Sequence, residues 1–457
     1  MAKVVMINDE WELEGFVTRS DANIGIKYGF ACFGQGGGKI GDTFAAIKSP
    51  QTEKPVYPVV CFNTNEGDLK SLENVDKHNR IVLKGYERGA GMDPEIGKRA
   101  LQENGELVFE TLQRVMANVD VIFVCGTLGG GTGTGAINMA ADVIADYLGK
   151  PVFAIVSLPD PHPDENVNAF EALKELVPKL EEIRGDEETG RYRALENISI
   201  LDNKKIIEEH LAVTEKGDNP KIAKMPWYRY SNYKVASILH EWNVLTTLKS
   251  DKTLDAEDLK NKILFTGGVL TYAKKKINLT NNDLKSEEDL INEVVSTYRG
   301  PNVLANGFDY RNDAKAFGIH VMMPKGREDL FNSNTLEKIN KRLQEELPGV
   351  PIYYGTSSAN ADSKYLLVYT IISLRGLPER ARNLKQESEE LLRIKAEREK
   401  KSSGFQLGGA LDAGGSPKIA RGRSVQSVPT NPFAAKSETA ATKQPPNFNP
   451  FQINKRS

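Results

Sequence analysis

Ten residues, Gly126-Thr127-Leu128-Gly129-Gly130-Gly131-Thr132-Gly133-Thr134-Gly135, hold six glycines and three threonines. They leave an apolar run that ends at Cys125 and enter a helical pattern near Ala136. A strand running into a helix through bare backbone brings peptide N–H groups and the positive helix terminus to one point, where an anion is stabilised. Glycines let the backbone touch a phosphate chain, and threonine hydroxyls add donors. A second cluster, Gly34-Gln35-Gly36-Gly37-Gly38-Lys39-Ile40-Gly41, follows another apolar run and contains a G-x-G-x-x-G match from Gly36 to Gly41. It is not a Walker A loop, because Ile40 follows Lys39 where a Mg²⁺-binding hydroxyl is required. The match alone would suit an NAD-dependent enzyme, which should carry an acid at the end of its second strand. Asn63 and Asn65 stand there instead, with Glu66 beyond. His78, His162, His210, His240 and His320 are scattered without ligand-pair spacing, so no metal-ligating set is read from this chain. Asp255 and Asp258 form a D-x-x-D pair, which could orient a water or merely charge the first turn of the following helix.

The elements that would position these residues alternate in type. Strands are predicted at residues 24–33, 56–62, 119–125 and 152–158, and helices at 94–116 and 136–147. The runs at 119–125 and 152–158 are almost continuously apolar, as expected of strands buried on both faces of a parallel sheet. That pattern predicts a doubly wound α/β domain with its ligand at the carboxyl ends of the strands. A short strand at 198–201 follows. Val235, Ile238, Leu239, Trp242 and Leu245 then recur at helical spacing and mark a core helix, in which His240 is expected to pack as a hydrogen-bonded residue. Strands at 317–323, 351–355 and 365–373 indicate a smaller second α/β domain. The expected division is an extension at 1–22, a nucleotide domain at 23–227, the core helix at 228–249, a second domain at 250–376, a charged helix at 377–401 and a tail at 402–457.

The chain has 457 residues, 39% hydrophobic and 27% charged, which suffices for a large core. Its net charge of −2 hides an asymmetry, because the tail carries Lys and Arg with almost no acids. With few apolar residues the tail is expected to be disordered. The tail also repeats Asn431-Pro432-Phe433 as Asn449-Pro450-Phe451, either by chance or as a linear binding motif. Cys32, Cys61 and Cys125 lie at or near the ends of apolar runs and are expected as buried thiols in a reducing cytosol. No run approaches the ~20 apolar residues of a spanning helix, and the expected location is cytoplasmic.

The string Gly129 to Gly135 resembles the glycine-rich signature of the tubulin/FtsZ superfamily, GTPases that polymerise into protofilaments. Other elements follow in that family's order. Gly34, Gln35, Gly36, Gly37 and Gly38 resemble its first nucleotide loop, and Asn63-Thr64-Asn65 its second. Gly89-Ala90-Gly91 with Pro94, Glu95 and Gly97 resembles its third. Leu158-Pro159-Asp160 with Glu165 is similar to its ribose-contacting loop, although Pro161 to Asp164 is inserted. Asn203 matches a residue that contacts guanine. Tyr228 matches an aromatic that stacks on the base, with Tyr230 the alternative, and Asn232 pairs with the base; one amide both donates and accepts, as a guanine edge requires. Within the superfamily the chain is most similar to the plasmid and phage partition branch, TubZ. Thr253 stands where FtsZ, the cell-division alternative, carries Asn, and no acidic-apolar terminal peptide is present.

The resemblance implies GTP/GDP and Mg²⁺ as ligands, with binding residues extending through Gly129, Gly130, Gly131, Thr132, Gly133, Thr134 and Gly135, and with Asp255 and Asp258 catalytic. An ~18-residue helix separates Asn232 from those carboxylates by roughly 27 Å. They would therefore act on nucleotide held by the next subunit, through a heterologous contact that generates an open head-to-tail filament. The branch further implies a centromere-binding adaptor protein with plasmid or phage DNA, engaged through the tail. A non-catalytic filament or adaptor that binds nucleotide without splitting it is the remaining alternative.

Overall fold

Strand pairing follows the apolar runs. The computed structural model describes residues 23–49, 52–188, 190–216, 220–248, 254–280, 284–300, 303–327, 331–358 and 364–401. The expected N-terminal extension, Thr253, the tail and its repeat lie outside the described residues. The strands are β1 (Tyr28–Phe33), β2 (Val59–Asn63), β3 (Arg80–Val82), β4 (Val121–Thr127), β5 (Val152–Leu158), the small pair β6 (Ile183–Arg184) and β7 (Tyr192–Arg193), β8 (Asn197–Asp202), β9 (Gly268–Asn278), β10 (Ala314–Met323), β11 (Ile352–Ser358) and β12 (Tyr365–Leu374). Among the described residues, ten of them form one sheet in the order β3-β2-β1-β4-β5-β8-β9-β12-β10-β11. Pairing is parallel from β3 to β9, antiparallel on both sides of β12, and parallel again between β10 and β11. The regions that the sequence separates thus share a sheet, joined where Asn197, Ile198 and Ser199 pair with Gly268, Val269 and Leu270.

Both faces are covered, and this is why the central strands read as unbroken apolar runs. In β1, Ala31 and Phe33 enter one core layer while Tyr28, Phe30 and Cys32 enter the other, as the two-residue strand period requires. The second layer holds the core helix, Trp227–Leu245, in which every residue from Tyr230 to Leu245 is buried. Several of its polar residues are bonded to neighbours. Asn243 accepts from the Ile26 N–H at 2.8 Å and donates to the Ile26 carbonyl at 2.7 Å, and Glu241 pairs with Lys274 at 2.8 Å. His240 Nδ1 shares a 2.9 Å hydrogen bond with the Tyr57 hydroxyl, as expected of a packing residue. The three cysteines are free and buried. Among the described residues no helix is long and apolar enough to cross a membrane.

Burial pushes the imidazoles of His240 and His320 down to about 3 from an ordinary 6.5. Below pH 6.5 the unfolded chain takes up protons that the folded chain refuses, so stability falls as pH falls through that window. From pH 7 to pH 5 the two should together remove up to about 4 kcal/mol of unfolding free energy. Urea titration at the two pH values measures this; an unchanged midpoint would contradict it.

Several helix boundaries differ from expectation, and the helix expected at 94–116 is broken at Asn104 into Pro94–Glu103 and Gly105–Val115. The helix expected from 136 begins at Gly131 and runs to Asp142, continuing with wider turns to Leu148. Similarly, Gly34 to Gly38 is no free loop but the opening of the helix Gly34–Ala45. Helix propensity disfavours glycine there, but close packing overrides it. A Cβ on Gly37 would lie 2.4 Å from the Cys125 carbonyl oxygen, and one on Gly135 2.0 Å from that of Pro94. The expected charged helix spans Glu379–Lys401. The described residues through Leu391 belong to one compact unit.

Candidate functional site

At the carboxyl ends of β1, β2, β4, β5 and β8 the chain forms a cleft of about 650 Å³. Two helices point their first turns into it. Gly34–Ala45 leaves β1 with Phe33 as its N-cap, and Gly131–Asp142 follows β4 with Gly130 as its N-cap; neither has a side-chain cap. Their initial N–H groups are thus left for a ligand or water, and the positive ends of two helix dipoles converge there. Gly34 has φ +71°, a conformation that glycine adopts without strain.

Of the sequence-predicted residues, Gly34, Gln35, Gly36, Asn63, Asn65, Gly89, Ala90, Gly91, Gly129 to Gly133 with Thr132, Glu165, Asn203, Tyr228 and Asn232 line this cleft. Gly37, Gly38, Thr134 and Gly135 do not, and Thr134 donates its hydroxyl to the Thr127 carbonyl at 3.3 Å. Asn63 and Asn65 serve mainly the loop itself. Asn63 accepts from the Asn65 N–H at 3.1 Å, and Asn65 accepts from the Asp68 N–H at 3.2 Å. Asp68 in turn accepts from Gln35 and from Asn63, each at 3.1 Å. The Thr64 and Thr132 hydroxyls share a 2.7 Å bond that ties the second loop to the glycine-rich turn. Asn168 donates to the carbonyls of Met92 at 2.9 Å and Gly129 at 3.0 Å, holding the third loop against that turn.

At the other end, Asn203 opens the helix Asn203–Lys216 directly after β8. Tyr228 and Asn232 lie four residues apart on one face of the core helix. The Lys39 ammonium sits 4.2 Å over the Tyr228 ring. Tyr230 is not among the residues that line the cleft; its hydroxyl donates to Glu209 at 2.6 Å. Glu209 also meets the buried Lys234 at 2.7 Å. Burial lowers that ammonium to about 8, with Lys205 adding to the fall and Glu209 opposing it.

Lys39, Asp68, Arg88 and Asn168 were not singled out by sequence reasoning as site residues. Lys39 stands inside the first glycine cluster, where the Ile40 that follows it breaks the Walker pattern; the others carry no local signal. The cleft's charged side chains are Lys39, Arg88, Asp68, Asp160 and Glu165, an excess of one acid. A polyphosphate therefore needs the helix termini and a companion cation. Among the described residues no group of three or more His, Cys, Asp or Glu is placed to hold a metal ion.

Asp255 and Asp258 lie outside the cleft. Asp255 caps the short helix Ala256–Leu259, accepting from the Asp258 N–H at 2.8 Å, and Asp258 pairs with Lys262 at 2.6 Å. A Cβ on Gly25 would touch both Thr246 and Ala256, which puts this loop beside the far end of the core helix.

Residues 30–183 match the tubulin/FtsZ family GTPase domain, and residues 241–385 match the C-terminal domain of TubZ-like tubulin/FtsZ-like proteins. The chain belongs to the tubulin/FtsZ family. A tubulin-like protein TubZ from Bacillus cereus is 28% identical over 403 residues, covering 84% of this chain and 86% of the relative. A GTPγS-form protofilament of TubZ from Bacillus thuringiensis serovar israelensis has a TM-score of 0.70 at 25% identity, covering 83% of this chain and 96% of that one. A type III plasmid segregation TubZ has a TM-score of 0.67 at 26% identity, covering 84% and 95%. The tubulin/FtsZ GTPase match ends at residue 183, so Asn203, Tyr228 and Asn232 fall between the two matched segments.

Proposed function

We propose that this chain binds GTP in the cleft, polymerises head to tail, hydrolyses GTP at sites completed by the neighbouring subunit, and so moves or segregates plasmid or phage DNA. The convergence of two uncapped helix N-termini, one of them the Gly130–Gly131 turn, carries the nucleotide reading. Tyr228, Asn203 and Asn232 supply the base end, and Glu165, beside Gly129, stands toward the ribose. Mg²⁺, when bound with the nucleotide, supplies charge neutralisation for the phosphates.

The relation of cleft to acids supports hydrolysis in trans. From Asn232 to Leu245 the core helix rises about 20 Å, and Asp255 neighbours the helix end beyond Leu245. A subunit's own carboxylates are thus far from its own nucleotide, whereas a head-to-tail neighbour can present them. The similar TubZ structure solved as a protofilament supports that assembly for this chain. The tail beyond Lys401 would recruit a centromere-binding adaptor with its DNA, with the cytoplasm as the location. No observation favours a cell-division role or nicotinamide chemistry.

A concentration series with GTP and Mg²⁺, scored by sedimentation and phosphate release, tests the reading. Release per subunit should rise steeply above a critical concentration as pelleting begins. Release that is independent of concentration, or a chain that never pellets, would overturn it.

A further inference from the structure

We propose that Arg380 is a positioning residue for the nucleotide, setting from the C-terminal helix two residues of the cleft that it does not touch, Asn203 and Glu165. The inference rests on the reading of that cleft as the GTP site. Arg380 donates from Nη1 to Asp202 Oδ1 at 2.7 Å and from Nε to Glu387 Oε2 at 3.1 Å. The same Glu387 oxygen accepts from Asn166 Nδ2 at 3.0 Å, and Asp202 Oδ1 also accepts from the Lys204 N–H at 3.1 Å.

The chain Asp202–Arg380–Glu387–Asn166 therefore ends, at each side, on the immediate neighbour of a cleft residue. Asp202 precedes Asn203 and Asn166 follows Glu165. Asp202 ends β8 just before the helix Asn203–Lys216, and Asn166 lies in the first turn of the helix Pro163–Leu176, so displacing either anchor shifts the backbone that carries the residue beside it. Most of the chain is shielded: the Arg380 side chain is 10% exposed, that of Asp202 9% and that of Glu387 22%, and Asn166 is fully buried. In such surroundings charge-assisted bonds are strong and an unpartnered carboxylate is costly. Only a planar guanidinium can bond both carboxylates in fixed directions at once, whereas a lysine ammonium offers charge without the fork.

A purely structural role would dock the C-terminal helix and leave ligand selectivity unchanged. Arg380→Lys keeps the charge and the aliphatic stem, so the nucleotide-free melting temperature of the full chain should stay within a few degrees. Its dissociation constant for a fluorescent GTP analogue should rise about tenfold, the loss of roughly one hydrogen bond to the ligand from a misplaced Asn203 or Glu165. Its preference for GTP over ATP should narrow, while kcat at saturating GTP changes less than about twofold, since the reacting phosphate is untouched. Glu387→Gln should weaken binding in the same direction, and Arg380→Leu more strongly. Should Arg380→Leu fail to fold, the two milder variants decide. Unchanged affinity and selectivity in both, with wild type binding GTP normally, would overturn the inference alone; a wild-type chain that does not bind GTP would overturn the reading of the cleft and this inference with it.

Discussion

Replacing Asp255 by asparagine should leave GTP binding and assembly intact and reduce hydrolysis per assembled subunit at least about 100-fold, the scale of a lost general base. Filaments of this variant should persist long after wild-type filaments have disassembled. Asparagine is the decisive substitution because Asp255 has a second role. Its carboxylate caps the helix Ala256–Leu259 through the Asp258 N–H, and an alanine would remove that cap at about 1 kcal/mol. Asn caps a helix about as well as Asp, so Asp255→Asn keeps the loop and deletes only the charge. Nucleotide binding should be untouched because Asp255 lies beyond the core helix from its own cleft. If Asp255→Asn releases phosphate at the wild-type rate in pelleting filaments, Asp255 is only a cap. The same logic makes Asp258 the weaker test, because its pairing with Lys262 changes together with its charge.

The central strands of the GTP-binding half were legible because they obey one simple rule: a strand covered on both faces is apolar throughout, and β5 came out at its observed bounds, whereas the half-buried edge strand β3 did not register. The cleft residues were legible for a different reason. Glycines that face phosphate and glycines that let helices approach strands look identical in sequence, so family order, not residue physics, picked them out. The structure divides them: Gly130 borders open space, whereas Gly37 and Gly135 press on other backbone. What stayed hidden is long-range. Asp68 meets Gln35 across 33 residues, Asn168 meets Met92 across 76, and Arg380 meets Asp202 across 178. No local period encodes such pairs. The continuity of the sheet across β8 and β9 escaped for the same reason, since it rests on three residue pairs about 70 positions apart.

Gly130→Asp should separate folding from ligand binding more sharply than any other change in the glycine-rich turn. Gly130 has φ −81° and ψ 177°, an extended conformation open to any residue, and a Cβ there meets nothing within 4 Å. It is the N-cap of a helix with no side-chain cap, a position where aspartate is among the best residues and interacts favourably with the helix dipole. Stability without nucleotide should therefore hold or rise by a few tenths of a kcal/mol. The same carboxylate takes the N–H groups assigned to phosphate and sets a negative charge against them. Two like charges ~4 Å apart at an effective dielectric of ~20 repel by about 4 kcal/mol, close to 1000-fold in affinity. Equilibrium titration with a fluorescent GTP analogue, beside a thermal melt, reads both quantities. Gly130→Ser, a cap without charge, should lose far less affinity. Gly135→Asp should do the reverse of Gly130→Asp, since its Cβ collides with Pro94 and destabilises the fold before any ligand arrives. If Gly130→Asp kept wild-type GTP affinity, the triphosphate would have to lie away from this helix terminus, and the assignment of the turn would fall with it.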